Sequence, residues 1–269
     1  MRRRLRYLLA VAVGALVVAS LTSAQAGRSE PDAHAGPLPG FGQAVFLSHV
    51  NDPKNVTLFP GDPAFTITQV ASIPEDGFYM NVVREGEHTG SHFSAPCHFK
   101  KGARCADDLA ARDFFFPAVV LDVRRQAAAN ADYAISVADL KRFENRHGRI
   151  PRGAAVIAWT GWQDKWGTPA YLNQDAEETV HQPGFGIEAA RWLLQARDVR
   201  ALGTDTFGPD RGIDPNFEVT TLVLDKRRFT LENLAGLEQM PPNGAWIVVG
   251  GPRNKAGSGA PSTIFGLVR

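Results

Sequence analysis

Charge of one sign, cysteine and internal repetition are all in short supply in this sequence. Lysine and arginine total 29 against 28 aspartate and glutamate, and Arg2, Arg3, Arg4 and Arg6 alone account for the positive balance. Residues 27–269 are therefore slightly acidic and lack the basic surface that nucleic acid or another polyanion requires. No repeat is present, which excludes a solenoid. Two cysteines, Cys97 and Cys105, allow one disulfide at most, and both a bond across the intervening loop and two buried thiols fit the spacing. A glycine-rich run, Gly250-Gly251-Pro252-Arg253 followed by Gly257 to Gly259, has neither the lysine–serine pair of a P-loop nor the spacing of a dinucleotide fingerprint, so it is not a phosphate cradle.

What is present at the start is a basic cluster, an apolar run from Tyr7 to Leu21, and Ser23-Ala24-Gln25-Ala26. That order is expected of a cleavable export signal over residues 1–26; a membrane anchor competes, but the run is short for a span of about 20 residues. Export to the periplasm or the medium follows, with no stable membrane insertion after cleavage. Residues 27–40, rich in Gly, Pro, Ala and Asp, read as a disordered leader, and residues 41–269 as one domain whose core the 44% hydrophobic content can supply.

Three of the seven histidines fall within eleven residues, in the stretch EHTGSHFSAPCHF from Glu87 to Phe99. Neutral imidazole is a common ligand of borderline metals and the usual base near neutral pH, so the cluster reads as a divalent-metal site with a proton-handling partner. His88 and His92 would stand about 13 Å apart in an extended chain, too far for comfortable sharing of one ion. The chain must therefore bend, and Gly90 is where it can. Beyond the bend an extended run would place His92, Ser94, Pro96 and His98 on one face, with Cys97 turned away.

These residues resemble the H-x-G-T-H-x-D-x-P-x-H signature of the cyclase family, which includes bacterial kynurenine formamidases and isatin hydrolases. It stands here as His88, Gly90, Ser91, His92, Ser94, Pro96 and His98, with Ser94 where metal-dependent members carry a ligating aspartate. Farther on, Glu232-Asn233-Leu234 is similar to the family's Glu-Asn-Leu, and Thr220 falls where a second-metal histidine is usual. The resemblance implies one divalent ion, zinc or alternatively manganese, held by His88, His92 and Glu232, with Ser94 and Thr220 as the lost ligands of a second site. It also implies metal-activated water, with His98 as general acid and base, and an α/β fold: a single swivelling β/β/α domain with a mixed, partly closed central sheet and flanking helices, usually dimeric or larger. Phe59, before Pro60-Gly61-Asp62, holds the family's substrate-facing aromatic position. His181, where the family often has tyrosine, is expected to gate the pocket.

The remaining pattern is that of an α/β sheet. Strands are expected at Gln43–Ser48, Phe65–Val70, Gly77–Val83, Phe114–Val123, Ala154–Trp159, Ala201–Thr206, Ala245–Gly250 and Ala260–Leu267. Ser136, with Asp139 three residues on, caps a helix presenting Val137, Leu140 and Phe143, and Ile187–Gln195 forms another. Trp162 and Trp166 follow a strand's carboxyl end and are expected on the pocket wall. Asp205 and Asp210 resemble the family's G-x-D-x-x-S-x-D segment, with turn capping as the plain alternative. The expected function is hydrolysis of an amide or lactam in a small aromatic substrate; a catalytically inactive relative that binds an aromatic ligand is the competing class. Export predicts a mature chain beginning near Gly27, and N-terminal sequencing of protein from its native host would contradict this by finding Met1 intact.

Overall fold

The computed structural model describes residues 40–269, so the expected export signal and all but the last residue of the expected leader lie outside the described residues. In chain order the elements are β1 (Gln43–Phe46), β2 (Thr66–Ala71), α1 (Ile73–Asp76), β3 (Met80–Arg84), β4 (His92–Ser94), β5 (Phe115–Asp122), α2 (Arg124–Ala129), β6 (Ala134–Ile135), α3 (Val137–His147) and β7 (Ala155–Trp159). They continue with α4 (Pro169–Leu172), β8 (Gly184–Phe185), α5 (Ile187–Ala196), β9 (Ala201–Thr204), α6 (Glu218–Asp225), β10 (Phe229–Glu232), β11 (Asn243–Gly250), β12 (Gly259–Pro261) and β13 (Thr263–Val268).

Nine strands make one mixed sheet in the order β1-β13-β11-β5-β7-β9-β10-β4-β12. Its centre, β5-β7-β9-β10, is parallel, and the flanking pairs are antiparallel. The covalent chain forces this sheet to curl. β12 lies at one margin and β13 next to the other, yet only Ser262 separates them. Two residue steps reach about 7 Å at full extension, so the margins must meet. An antiparallel bridge between Ser48, just past β1, and Leu234, just past β10, ties the β1 margin to the far side of the sheet.

Curling gives the sheet an inside and an outside, and the period of two assigns side chains to each. Along β5 and β7, Ala118, Val120, Ala155 and Ile157 pack inside with Phe93, Leu231 and Ile264. Their neighbours Val119, Leu121, Val156 and Ala158 face outward, where Leu140 and Phe143 of α3, Leu193 of α5 and Val223 of α6 cover them. Helix α3 begins as its sequence predicts: the Asp139 N–H donates to the Ser136 hydroxyl, and the Asp139 carboxylate accepts the Ser136 N–H at 2.7 Å.

The expected strands are present within a few residues of their predicted bounds, with two changes: the single strand expected over Ala260–Leu267 is broken at Ser262 into β12 and β13, which join different parts of the sheet, and one pair of strands stands apart. β2 and β3 pair with each other but not with the nine-stranded sheet. Gly77, in the left-handed region at φ 82°, ends α1 and delays β3 to Met80. The resulting ribbon leaves Val70, Phe78, Tyr79, Met80, Val82 and Val83 each about half exposed.

Cys97 and Cys105 are bonded, tying the 3-10 turn Pro96–His98 to the 3-10 turn Ala106–Asp108. Closing so short a loop removes about 2–3 kcal/mol of unfolded-chain entropy in the loop-closure treatment. Cys97→Ala/Cys105→Ala protein is expected to lose about that much unfolding free energy in guanidinium denaturation, read as a lower midpoint; an unchanged midpoint would contradict this.

Candidate active site

Strand register builds the heart of the site. β4 lies between β10 and β12, with His92 opposite Glu232 and Ser94 opposite Thr230. Phe93 and Leu231, the residues between, point into the inner core, which turns His92, Ser94, Thr230 and Glu232 to the other face. All four are buried there. His92 Nε2 stands 3.4 Å from Glu232 Oε2, and its Nδ1 is 2.9 Å from the Gly90 carbonyl. The other carboxylate oxygen of Glu232 accepts the Ser94 hydroxyl at 3.1 Å and the Thr230 hydroxyl.

The bend expected at Gly90 is present and admits no side chain. Gly90 has φ 63°, and a Cβ on it would lie 2.1 Å from Asn51 Oδ1. Its carbonyl also accepts the Asn233 side-chain amide at 2.9 Å, which ties the turn to the end of β10. The turn brings His88 back over the strand, with Nδ1 3.3 Å from the Ser94 hydroxyl. His98 arrives by a different route from the one its spacing predicts. The strand stops at Ser94, and Pro96 opens a 3-10 turn, so His98 is set by that turn and not by strand alternation. Its ring stacks on His88 with centroids 3.9 Å apart.

Burial and neighbouring charge divide the protonation states. Burial, helped by the His92 and His98 charges and opposed by Glu232, holds His88 down to about 3. Burial by the cavity walls also lowers His98, although the ring keeps contact with solvent through the cavity mouth, and Glu232 only partly restores it. Both are neutral near pH 7. For His92 burial opposes the charged form, but the adjacent Glu232 carboxylate outweighs it and raises the pKa. Burial would likewise raise Glu232; its pairing with His92 and the hydroxyl bonds hold it below the usual carboxylate range.

These groups close one end of a cavity of about 510 Å³. Four phenylalanines, Phe59, Phe99, Phe207 and Phe217, form its aromatic wall, with Phe59 edge-on to Phe207 at 5.4 Å and Phe99 edge-on to Phe217 at 5.8 Å, and Glu178, Arg211 and Asp214 add charged groups to the lining. Phe59, before Pro60-Gly61-Asp62, is thus a wall of this cavity. Asp62 of the same turn lines the cavity too, its pKa raised by burial. A separate cavity of about 740 Å³ between Asp122 and Arg146 is lined by Gln126 and otherwise charged side chains, and includes none of these groups.

Two expected wall residues do not line the cavity. Trp162 is buried behind it, its indole N–H donating to the Tyr171 carbonyl at 2.8 Å, while Tyr171 packs edge-on to Phe207. Trp166 stacks on His49 at 4.2 Å and is likewise set back. His181 turns outward to Asp132 at 3.0 Å and Asp175 at 3.1 Å, and leaves its neighbours Val180 and Gln182 at the cavity. The two carboxylates attract the imidazole more strongly than the pocket mouth does. Asp205 and Asp210 cap turns: Asp205 accepts Thr160 N–H at 2.9 Å, and Asp210 accepts Val219 N–H at 2.6 Å together with the Thr220 hydroxyl. Thr220 therefore has its hydroxyl committed to the start of α6.

Phe99, Phe207 and Phe217 are the cavity-lining aromatics that sequence reasoning missed. Phe217 carries a signal only the backbone displays, a left-handed φ of 49° in a bulky residue.

The donor chemistry fits a divalent ion. His92 Nε2 makes no hydrogen bond, the 3.4 Å approach to Glu232 being too poorly aligned to count as one, and two metal–ligand bonds of about 2 Å can span that separation. Among the described residues no three His, Cys, Asp or Glu side chains already converge on a point. His88 reaches the pair through Ser94.

The Cyclase family model matches residues 45–211. The chain belongs to the cyclase family. Its relatives include the isatin hydrolase of Roseibium aggregatum, 31% identical over 217 residues that cover 77% of this chain and 82% of the relative. The kynurenine formamidase of Salinibacter ruber is 38% identical over 187 residues, covering 69% and 79%. Among solved structures, isatin hydrolase A from Labrenzia aggregata bound to benzyl benzoate superposes with a TM-score of 0.79 at 31% identity, covering 84% of this chain and 93% of its own. The curled mixed sheet is thus the cyclase-family fold, and the two named relatives are an isatin hydrolase and a kynurenine formamidase. Glu232 and the glycine-rich run lie beyond the segment that the family model matches.

Proposed function

We propose that this cyclase-family protein is an exported metal-dependent hydrolase that opens an amide or lactam bond in a small aromatic substrate, as an arylformamidase does. One observation carries the proposal: a neutral, solvent-reachable His98 stacks beside the His88, His92 and Glu232 donors at the polar end of a phenylalanine-lined cavity. Edge-to-face aromatic contacts favour an aryl ring among Phe59, Phe207 and Phe217, which leaves its carbonyl group toward the histidines. Zinc, or manganese, held by His88, His92 and Glu232 would polarise that carbonyl and favour ionised water near neutral pH. His98 then accepts a proton from the attacking water at a free ring nitrogen. A carbon–oxygen bond forms, the carbon–nitrogen bond breaks, and His98 returns the proton to the departing nitrogen. The desolvating walls keep His98 neutral and ready to accept.

Ser94 and Thr220 favour a second reading, an inactive relative that binds an aromatic ligand, because both stand where further metal ligands are usual in the family. Their hydroxyls are spent on Glu232 and Asp210. We assign the exposed β2–β3 ribbon to a homodimer or larger assembly, since a two-stranded ribbon is marginal without cover; sedimentation that returns only monomer at micromolar concentration would remove this assignment.

With formanilides, N-formylkynurenine, isatin and aryl esters as substrates, at least one is expected to react above background. His98→Ala is expected to retain metal and lose about 10²- to 10⁴-fold in rate. His88→Ala and His92→Ala are expected to lose metal and activity together. Metal analysis should return at most about one ion per chain. No metal and no turnover, with aromatic ligands still raising thermal stability, would replace the hydrolase by the binder.

A further inference from the structure

The glycine-rich run that carries no phosphate-binding pattern ends beside the first histidine of the site. Gly257, Ser258 and Gly259 lead into β12, anchored by Ala106 N–H donating to the Gly257 carbonyl at 2.9 Å and Ala95 N–H to the Ser258 carbonyl at 2.8 Å. This anchoring sets Ser258 between Glu87 and His88. Its backbone N–H and its hydroxyl both reach Glu87 Oε2, at 2.8 and 2.7 Å, and His88 Nε2 lies 2.9 Å from the same hydroxyl oxygen.

Proton counting gives these bonds a direction. A serine hydroxyl has one proton to donate, and a carboxylate can only accept. The Ser258 proton therefore goes to Glu87, and the hydroxyl oxygen meets His88 as an acceptor. His88 Nε2 then carries a hydrogen, which leaves the lone pair of the neutral ring on Nδ1. Nδ1 faces the Ser94 hydroxyl, whose own proton goes to Glu232, so that oxygen too stands as an acceptor; the shorter contact, 2.9 Å at Ser258 against 3.3 Å at Ser94, gives the hydrogen to Nε2. Glycine on either side of Ser258 is what permits the approach. A Cβ on Gly259 would lie 2.8 Å from His88 Cε1 and 2.4 Å from the Phe93 carbonyl oxygen, and one on Gly257 would lie 3.0 Å from Glu87 Oε1.

We propose that Glu87 and Ser258 are positioning residues: they hold His88 as its Nε2–H tautomer and turn the Nδ1 lone pair toward the donor cluster, where a divalent cation can take it. Neither lines the substrate cavity. An outer partner that fixes ring and tautomer is worth about 10- to 100-fold in metal affinity. The inference rests on His88 being a ligand, as proposed above, but the tautomer is measurable with no metal present.

The test uses full-length protein, metal-stripped and labelled with ¹⁵N-histidine, whose ring nitrogens are read by long-range proton–nitrogen correlation near neutral pH. The parent is expected to show His88 as Nε2–H. Ser258→Ala should populate both tautomers, whereas Ser258→Thr, which keeps the hydroxyl, should retain Nε2–H. Glu87→Ala leaves Ser258 in place but frees its proton, and should move His88 toward Nδ1–H. Zinc affinity, measured by chelator competition, should fall about 10- to 100-fold in Ser258→Ala and recover in Ser258→Thr. An Nδ1–H tautomer in the parent, or Nε2–H unchanged in both Ser258→Ala and Glu87→Ala, would overturn the proposal. Should Ser258→Ala not fold, the Glu87→Ala and Ser258→Thr spectra decide by the same criteria. Tautomer shifts as expected in a parent that binds no zinc would support the positioning role and remove the metal-dependent reading instead.

Discussion

The contact on which the rest of the site depends is the cross-strand pair of His92 and Glu232, buried between β4 and β10. Two ionisable groups in such a place are tolerable only together. Removing one partner of a buried pair leaves an uncompensated charge or an orphaned polar atom, at a cost of about 3–5 kcal/mol, a large fraction of a domain's net stability. The surrounding bonds follow from this constraint. Thr230 and Ser94 hydroxyls satisfy one oxygen of Glu232, and the Gly90 carbonyl holds the far nitrogen of His92. What remains is one nitrogen and one oxygen facing each other without a good hydrogen bond, an arrangement that invites a cation.

The pair exists because the sheet curls. β10 belongs to the parallel centre, β4 and β12 form its antiparallel continuation, and the single residue between β12 and β13 draws this margin round to meet the opposite one. Closure buries one face of β4 and β10 in the inner core and leaves the other to the cavity. The same closure lays the glycine-rich run against Glu87 and His88, and so turns a segment without a recognisable motif into part of the site's support. Aromatic walls come from segments far apart in the chain: Phe59 from a turn after β1, Phe99 from the end of the 3-10 turn, and Phe207 and Phe217 from the loop between β9 and α6. They supply an apolar compartment beside a set of polar donors, the division of labour common to small-molecule sites.

Local chemistry made much of this legible. Clustered histidines, the glycine at the bend, the Ser136–Asp139 capping box and the alternating or continuous apolar runs each depend on interactions between residues close in sequence, so residue order alone determined them. The placement of Glu232 was legible only through the family's Glu-Asn-Leu, since nothing in its neighbourhood reveals that it faces His92. Position beside a strand end misled for Trp162, and position beside a proline–glycine turn misled for His181. Their destinations were chosen by partners distant in sequence: the Tyr171 carbonyl behind the cavity and the Asp132 and Asp175 carboxylates outside it.

By itself, then, the sequence determined which side chains have the chemistry and where the chain can bend, because donor type, glycine freedom and hydrophobic period are local properties. Only the tertiary structure decided which of those side chains meet. Strand alternation extrapolated past Ser94 could not bring His98 onto His88; a 3-10 turn beginning at Pro96, tied by Cys97 to Cys105, did. Nor could any spacing rule join Ser258 to His88 across 170 residues. Contacts of that separation are set by sheet order and closure, which depend on the packing of the whole domain.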